Sequence, residues 1–384
     1  QGRRLVSGSK DSSIRLWDVN SGVEVHTYRG HTSGVALVAC TPDGSRLISG
    51  SKDGTVKVWE VTQPSLQGSL QQFSAWVYDL AYSPSGARLA VVSRGDQGLT
   101  VWEPSSGRNL LRIDLGEELL WSVAFSLEGR RIAGALGNWK TLDRPGIVKI
   151  WDAESGRELL MLAAHKGIAW SIAFSPDGTL LASGGGEHRE PDVITLWNVA
   201  AGREVRSLRG HTGGVTQVRF SPYGRFLASA GGDGTTRIWE VATGRLVHTL
   251  TGHAELVNSL AYSPDGRILA TGSLDTDLRT WDATTGRLMA ILQGHTNEVQ
   301  GISFHADGTR LASASLDGEI KIWDVTRGRE VLTFRGHSAP VRAVAFDPEG
   351  NHLASGGHDR TMKIWDASPH GLTSTAPVVS SPRP

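Results

Sequence analysis

Nine tryptophans, Trp17, Trp59, Trp102, Trp151, Trp197, Trp239, Trp281, Trp323 and Trp365, follow one another at spacings of 42, 43, 49, 46, 42, 42, 42 and 42 residues. A period of this length, sustained along 384 residues, restricts the chain to repeated copies of one small supersecondary unit. The copy around Trp239 shows the unit most plainly. Val215, Val218 and Phe220 are the apolar positions of a first strand, and Ser221-Pro222-Tyr223-Gly224 is a turn. Residues 226–230 read as a second strand, Gly232-Asp233-Gly234 as a tight hairpin turn, 236–239 as a third strand and 245–250 as a fourth. Short strands joined by glycine-rich turns make an antiparallel meander. One such sheet is too small to stand alone and leaves two apolar faces bare. Radial copies bury those faces on one another and leave only short edges. The expected fold is therefore all-β, a closed ring of four-stranded blades.

Composition narrows the function. The 39 basic and 39 acidic side chains cancel, and no run of Lys or Arg supplies the positive field that a phosphate backbone requires, so no nucleic-acid partner is expected. Cys40 is the only cysteine, which rules out an internal disulfide and a thiolate zinc site; it reads as a small core residue. No stretch reaches the ~18 consecutive apolar residues of a membrane span, so no membrane partner is expected, and a cytoplasmic location is the working expectation. The chain opens on Gln1-Gly2-Arg3-Arg4-Leu5 beside an apparent strand. It reads as a piece of a longer protein, with other domains of that parent among the expected partners.

Several motifs recur with the tryptophan. Gly210-His211 opens its copy, Phe174-Ser175-Pro176-Asp177-Gly178 is an intact turn with variants in seven other copies, and an acidic or amide residue follows most of the tryptophans. In these features the chain resembles the WD40 repeat family over residues 1–366. The resemblance implies a β-propeller, with a buried His, Ser/Thr, Asp and Trp hydrogen-bonded in each blade. Five copies carry all four: His31, Ser49, Asp53, Trp59; His211, Ser229, Asp233, Trp239; His253, Thr271, Asp275, Trp281; His295, Ser313, Asp317, Trp323; and His337, Ser355, Asp359, Trp365. A His, Ser and Asp together also suggest a catalytic triad. An active site appears once, however, and this trio returns in blade after blade beside a tryptophan, without a Gly-x-Ser-x-Gly elbow. Histidines spread one per blade cannot converge on one metal ion. No catalytic residue, metal or cofactor is expected.

Copies three to five depart from the pattern. Copy three has Ser74 where His stands elsewhere and Val92 in place of Ser, with Asp96 kept; copy four has Gly116-Glu117 in place of Gly-His. Insertions at 137–146 and 185–192 enlarge copies four and five between their second and third strands. In the family, two positions near the start of the innermost strand face the channel mouth and contact partners. The resemblance places Trp76, Tyr78, Trp121 and Trp170 there as an aromatic cluster, with Glu298 and Arg342 as polar rim residues on another arc. The rings could instead pack on one another or cap the channel. Large aromatics in an exposed patch are typical interface anchors.

Nine repeats are counted, the first without its innermost strand, so eight or nine blades are expected. Residues 24–28 would close an eight-bladed ring as the outer strand of copy nine. A nine-bladed ring would keep copy one as its own blade, the preferred reading. Residues 367–384, rich in Pro, Ser and Thr, read as a tail or linker. The expected role is a scaffold binding proteins or peptides on the channel-mouth face. The alternative is a regulatory or sensor domain of a larger signalling protein or enzyme whose catalytic part lies outside this chain.

Overall fold

A computed structural model describes residues 4–18, 24–40, 46–60, 66–73, 76–93, 98–116, 118–140, 144–186 and 192–367. The described strands form nine antiparallel sheets, one for each repeat counted. Seven have four strands and two have three. The first sheet holds β1 (Arg4–Gly8), β2 (Ser13–Asp18) and β3 (Glu24–Arg29), and the second β4 (Val35–Cys40), β5 (Arg46–Ser51) and β6 (Val56–Glu60). β7 (Leu66–Gln72) follows β6 in the chain, where a fourth strand of the second sheet would stand. It pairs instead with Thr361–Asp366, the last strand of repeat nine.

That one strand settles the closure. Numbering blades by repeat, blades 3 to 8 span residues 77–114, 120–166, 169–209, 215–250, 257–292 and 299–334, and blade 9 spans 341–366 with β7. The innermost strand of each packs on the innermost strand of the next, and that of blade 9 packs on that of blade 3. The seven four-stranded blades thus form a ring around a channel. This differs from the expected single ring of eight or nine blades: the first two sheets stand outside it, and β3 remains paired with β2 instead of closing the ring. Sheet 1 packs on sheet 2 through β1 and β4, and β3 lies against the outer strand of blade 8, Arg329–Phe334.

The core lies between blades. Each ring blade carries an alanine in its second strand (Ala90, Ala133, Ala182, Ala228, Ala270, Ala312, Ala354), and all seven are fully buried. A side chain this small lets the next blade's innermost strand approach closely. Polar clamps also cross the gaps. The Val123 N–H donates to Asp79 Oδ2 at 2.9 Å, the Val218 N–H to Ser171 Oγ at 3.1 Å and the Phe346 N–H to Ser303 Oγ at 3.1 Å. Cys40, expected in the core, is exposed. It ends a strand of sheet 2, which has a neighbouring sheet on one face only. Ala367, assigned to the tail, is buried and donates its N–H to Asn351 O at 2.7 Å; residues 368–384 lie outside the described residues.

Candidate functional site

Two constellations emerge, one inside the blades and one at the channel mouth. Within each complete tetrad the histidine Nδ1 meets the carboxylate at 2.7–3.1 Å, and Nε2 meets the Ser or Thr hydroxyl at 2.7–2.8 Å. The indole N–H of Trp59, Trp239, Trp281, Trp323 and Trp365 donates to that same hydroxyl at 2.6–3.0 Å. The directions follow. Nδ1–H donates to the Asp, Nε2 accepts from the hydroxyl, and the hydroxyl oxygen accepts from the indole. Burial alone would push the Asp233 carboxyl up, but its bonds from His211, Thr212 and Thr235 outweigh that and hold it below the usual carboxylate range; Asp53, Asp275, Asp317 and Asp359 are lowered in the same way. Each of these hydroxyls bridges an imidazole and an indole, and each is buried inside its blade.

The irregular copies solve the same problem differently. In blade 3 the Trp102 N–H donates to Thr100 Oγ1 at 2.9 Å; Ser74 and Asp96 lie outside the described residues. In blade 4, Gly134 occupies the Ser position, and a β-carbon there would lie 2.8 Å from the Trp151 ring. In blade 5, His165 and Trp197 share Ser183 Oγ at 2.9 Å each. Asp192, from the insertion, places Oδ2 at 3.3 Å from His165 Nδ1. The inserted loop thus returns a carboxylate to the place the repeat had lost. Gly186 makes room for it with φ 92°, since a β-carbon there would come within 2.5 Å of Asp192. Asp192→Ala is expected to cost no more than about 1 kcal/mol, because Asp192 stands beside His165 Nδ1 without a hydrogen bond to it; urea unfolding measures it.

The channel encloses a cavity of about 540 Å³ with side chains from all seven innermost strands in its wall, among them Tyr78, Trp121, Trp170, Thr216, Asn258, Gln300 and Arg342. The aromatic candidates do come together. Trp76 stacks on Tyr78 with centroids 6.4 Å apart, Tyr78 meets Trp121 edge-on at 5.4 Å, and Trp121 meets Trp170 at 4.7 Å. His358 extends the run from blade 9, stacked on Trp76 at 4.1 Å. The Trp121 N–H donates to Gly137 O at 2.9 Å and the Trp170 N–H to Gly186 O at 2.5 Å, which ties each ring to the inserted loop of its own blade. Packing and exposure therefore coexist: Trp121 and Trp170 are half-buried, whereas Trp76 is 40 % exposed and Trp139, on the blade 4 insertion, 51 % exposed.

The two polar residues stand on neighbouring blades, 8 and 9. Arg342 stands on the innermost strand of blade 9, next to blade 8 and Glu298, and its guanidinium lies 4.6 Å from the centroid of the Tyr78 ring, a cation–π contact that joins it to the aromatic arc. Glu298 directly precedes the innermost strand of blade 8, where Gln300 donates to it at 3.0 Å and Asn258, from blade 7, donates to Gln300 at 2.8 Å. Deeper in the channel stand Asp79 and Arg219. Enclosure pushes the Asp79 carboxyl up against the pull of Arg219, and pushes the Arg219 guanidinium down against the pull of Asp79. Sequence reasoning passed over this pair. Its signal was present: Arg219 stands where the other ring repeats have Ala81, Ala124, Ala173, Ala261, Ser303 and Ala345.

Comparison with known proteins completes the picture. The family described as "WD domain, G-beta repeat" matches residues 1–18, 22–60, 156–189, 202–240, 244–282, 286–324 and 328–366, more than half of the chain. The unmatched stretch covers repeats three and most of four, at the heart of the aromatic arc. Single-repeat similarity links the chain to "Nuclear distribution protein PAC1" of Arthroderma otae (51 % identical over 43 residues), "Ribosome assembly protein 4" of Chaetomium thermophilum (46 % over 41) and "F-box-like/WD repeat-containing protein TBL1X" of Mus musculus (52 % over 40). Each match spans 10–11 % of this chain and 8–9 % of the relative. With nine blade-type sheets, the tetrad hydrogen bonds and the matched repeats in agreement, the chain belongs to the WD40 repeat family.

Proposed function

We propose that this protein is an interaction scaffold that captures a partner protein or peptide at the channel mouth, on the arc formed by blades 9, 3, 4 and 5. One observation carries the reading. The run His358–Trp76–Tyr78–Trp121–Trp170 crosses four consecutive blades, on the arc that includes the irregular repeats and both insertions. Large planar side chains already held in place lose little entropy on binding and serve as anchors. The names of the matched relatives, which speak of nuclear distribution, ribosome assembly and an F-box-like protein, fit a scaffold role. The tetrads act as the frame, and no catalytic step is assigned to any residue.

The test is quantitative. A partner isolated with the wild-type chain is identified, and its affinity is then measured for the wild type and for Trp76→Ala combined with Trp139→Ala. Both side chains are exposed, so the melting temperature should change little. Loss of at least about 2 kcal/mol of binding, the size of a hot-spot truncation, is expected. Unchanged affinity at unchanged melting temperature would move the binding site off this arc.

A further inference from the structure

Sheet 2 carries a blade interface with no blade on it among the described residues. In the ring, the face that each blade turns to its successor is sealed. Ala228, Ala270, Ala312 and Ala354 in second strands, and Thr236, Leu278, Ile320 and Met362 in third strands, are at most 1 % exposed. The same positions in sheet 2 are Ile48, 40 % exposed, and Val56, 55 % exposed, with Leu37 beside them at 75 %. Sheet 1 serves as the internal control. Its corresponding third-strand residues, Ile14 and Leu16, are buried by sheet 2 in one cluster with Val35 and Trp59. The glycines report the same contrast. A β-carbon at Gly8, Gly184, Gly272 or Gly356 would strike the opening valine of the next blade's innermost strand, Val35, Val215, Val299 or Val77. At Gly50 the nearest atom is Leu37 Cβ of its own sheet, at 3.9 Å. β6 also pairs with β5 alone among the described strands, because β7 has gone to blade 9.

The missing neighbour has a defined chemistry. It must bring an innermost strand opening on an apolar residue, valine in five of the seven ring blades, and a strand to pair with β6. A second copy of this chain has neither to give: its ring is closed, and its sheet 1 has no innermost strand among the described residues. In blades 3 to 9 the innermost strand directly precedes the second strand along the chain. We infer that the Leu37–Ile48–Val56 face seats a further blade of the same repeat type, supplied by the same polypeptide ahead of Arg4, so that sheets 1 and 2 are the last two blades of a second ring. This stands apart from the aromatic arc and survives if that site fails.

The test places a thiol on the face. Ile48→Cys in a Cys40→Ser background is prepared in this 384-residue chain and in the polypeptide extended upstream as its gene reads. Both are treated with a maleimide, with melting curves confirming the fold; Val56→Cys serves if Ile48→Cys does not fold. Rapid labelling of the short chain and labelling slower on the order of a hundredfold in the extended one is expected, as for a site reached only by local opening. Equal labelling, or an upstream sequence without such repeats, overturns the inference. Protection of the short chain that grows with its concentration would show a second copy on the face, and overturns it as well.

Discussion

Replacing Trp239 by alanine is expected to lower the stability of the ring by about 3–5 kcal/mol, the range for losing a buried tryptophan. The side chain is buried at the junction with blade 5, in one cluster with Leu196, Leu208, Val215 and Leu227, and its N–H occupies one side of the Ser229 hydroxyl. The substitution opens a cavity and frees a buried polar group together. Trp239→Phe separates the two, since it keeps most of the volume and drops only the bond; a loss of about 1 kcal/mol is expected there. Trp17→Ala supplies the comparison. Trp17 makes the same bond to Ser7, but in sheet 1, outside the ring. Urea unfolding followed by tryptophan fluorescence should show the main transition shifted by Trp239→Ala and left in place by Trp17→Ala. Equal shifts would mean that ring and N-terminal sheets unfold as one unit.

Acid should unfold the ring in a defined window. In the ring, Asp233, Asp275, Asp317 and Asp359 have carboxyls held below the usual carboxylate range, as does Asp53 of sheet 2. A group depressed on folding contributes stability in full above its unfolded value, about 3.9 for Asp, and loses it as pH falls through the folded value. The His253 imidazole is pushed down by burial, against the pull of Asp275. Its share has the same sign but begins to fade below its unfolded value, about 6.5. Stability should therefore begin to decline slightly below about pH 6.5 and fall steeply below about pH 4. Asp233→Asn should flatten the steep limb while lowering stability at neutral pH, because the amide cannot reproduce a charged acceptor for the donors of His211, Thr212 and Thr235. A melting temperature independent of pH between 3 and 7 would contradict the network's role.

Much of this was written in the repeat. The tryptophan period fixes the blade, and the 28-residue interval from His to Trp in five copies picks out each tetrad, because both positions are set by strand lengths that hardly vary. What the period could not reveal is which copies share a ring. Copies one and two carry the tryptophan and its hydroxyl partner as most of the others do, so blade identity argued for nine equal members. The distinguishing mark is smaller. The second-strand residue is alanine in all seven ring blades but Val6 and Ile48 in the first two sheets. The destination of β7 was hidden too, since residues 66–72 follow β6 as any fourth strand would, and pairing across the whole chain leaves no local trace. The contact of Arg342 with Tyr78 was not legible either, because a position on a strand fixes its blade but not the direction of a long side chain.

Closure by β7 also sets an order of events during synthesis. The residues paired between β7 and the final strand lie roughly 290 positions apart in the chain. At about 5–20 residues per second, the first strand of the ring waits on the order of 15–60 s for its partner to emerge from the ribosome. Until then the growing arc has an open blade at each end, and contacts of such long sequence separation are slow to form in any case. The nascent protein therefore passes through a lengthening series of unclosed arcs, each with unpaired strand edges of the kind that chaperones shield and that neighbouring chains can capture.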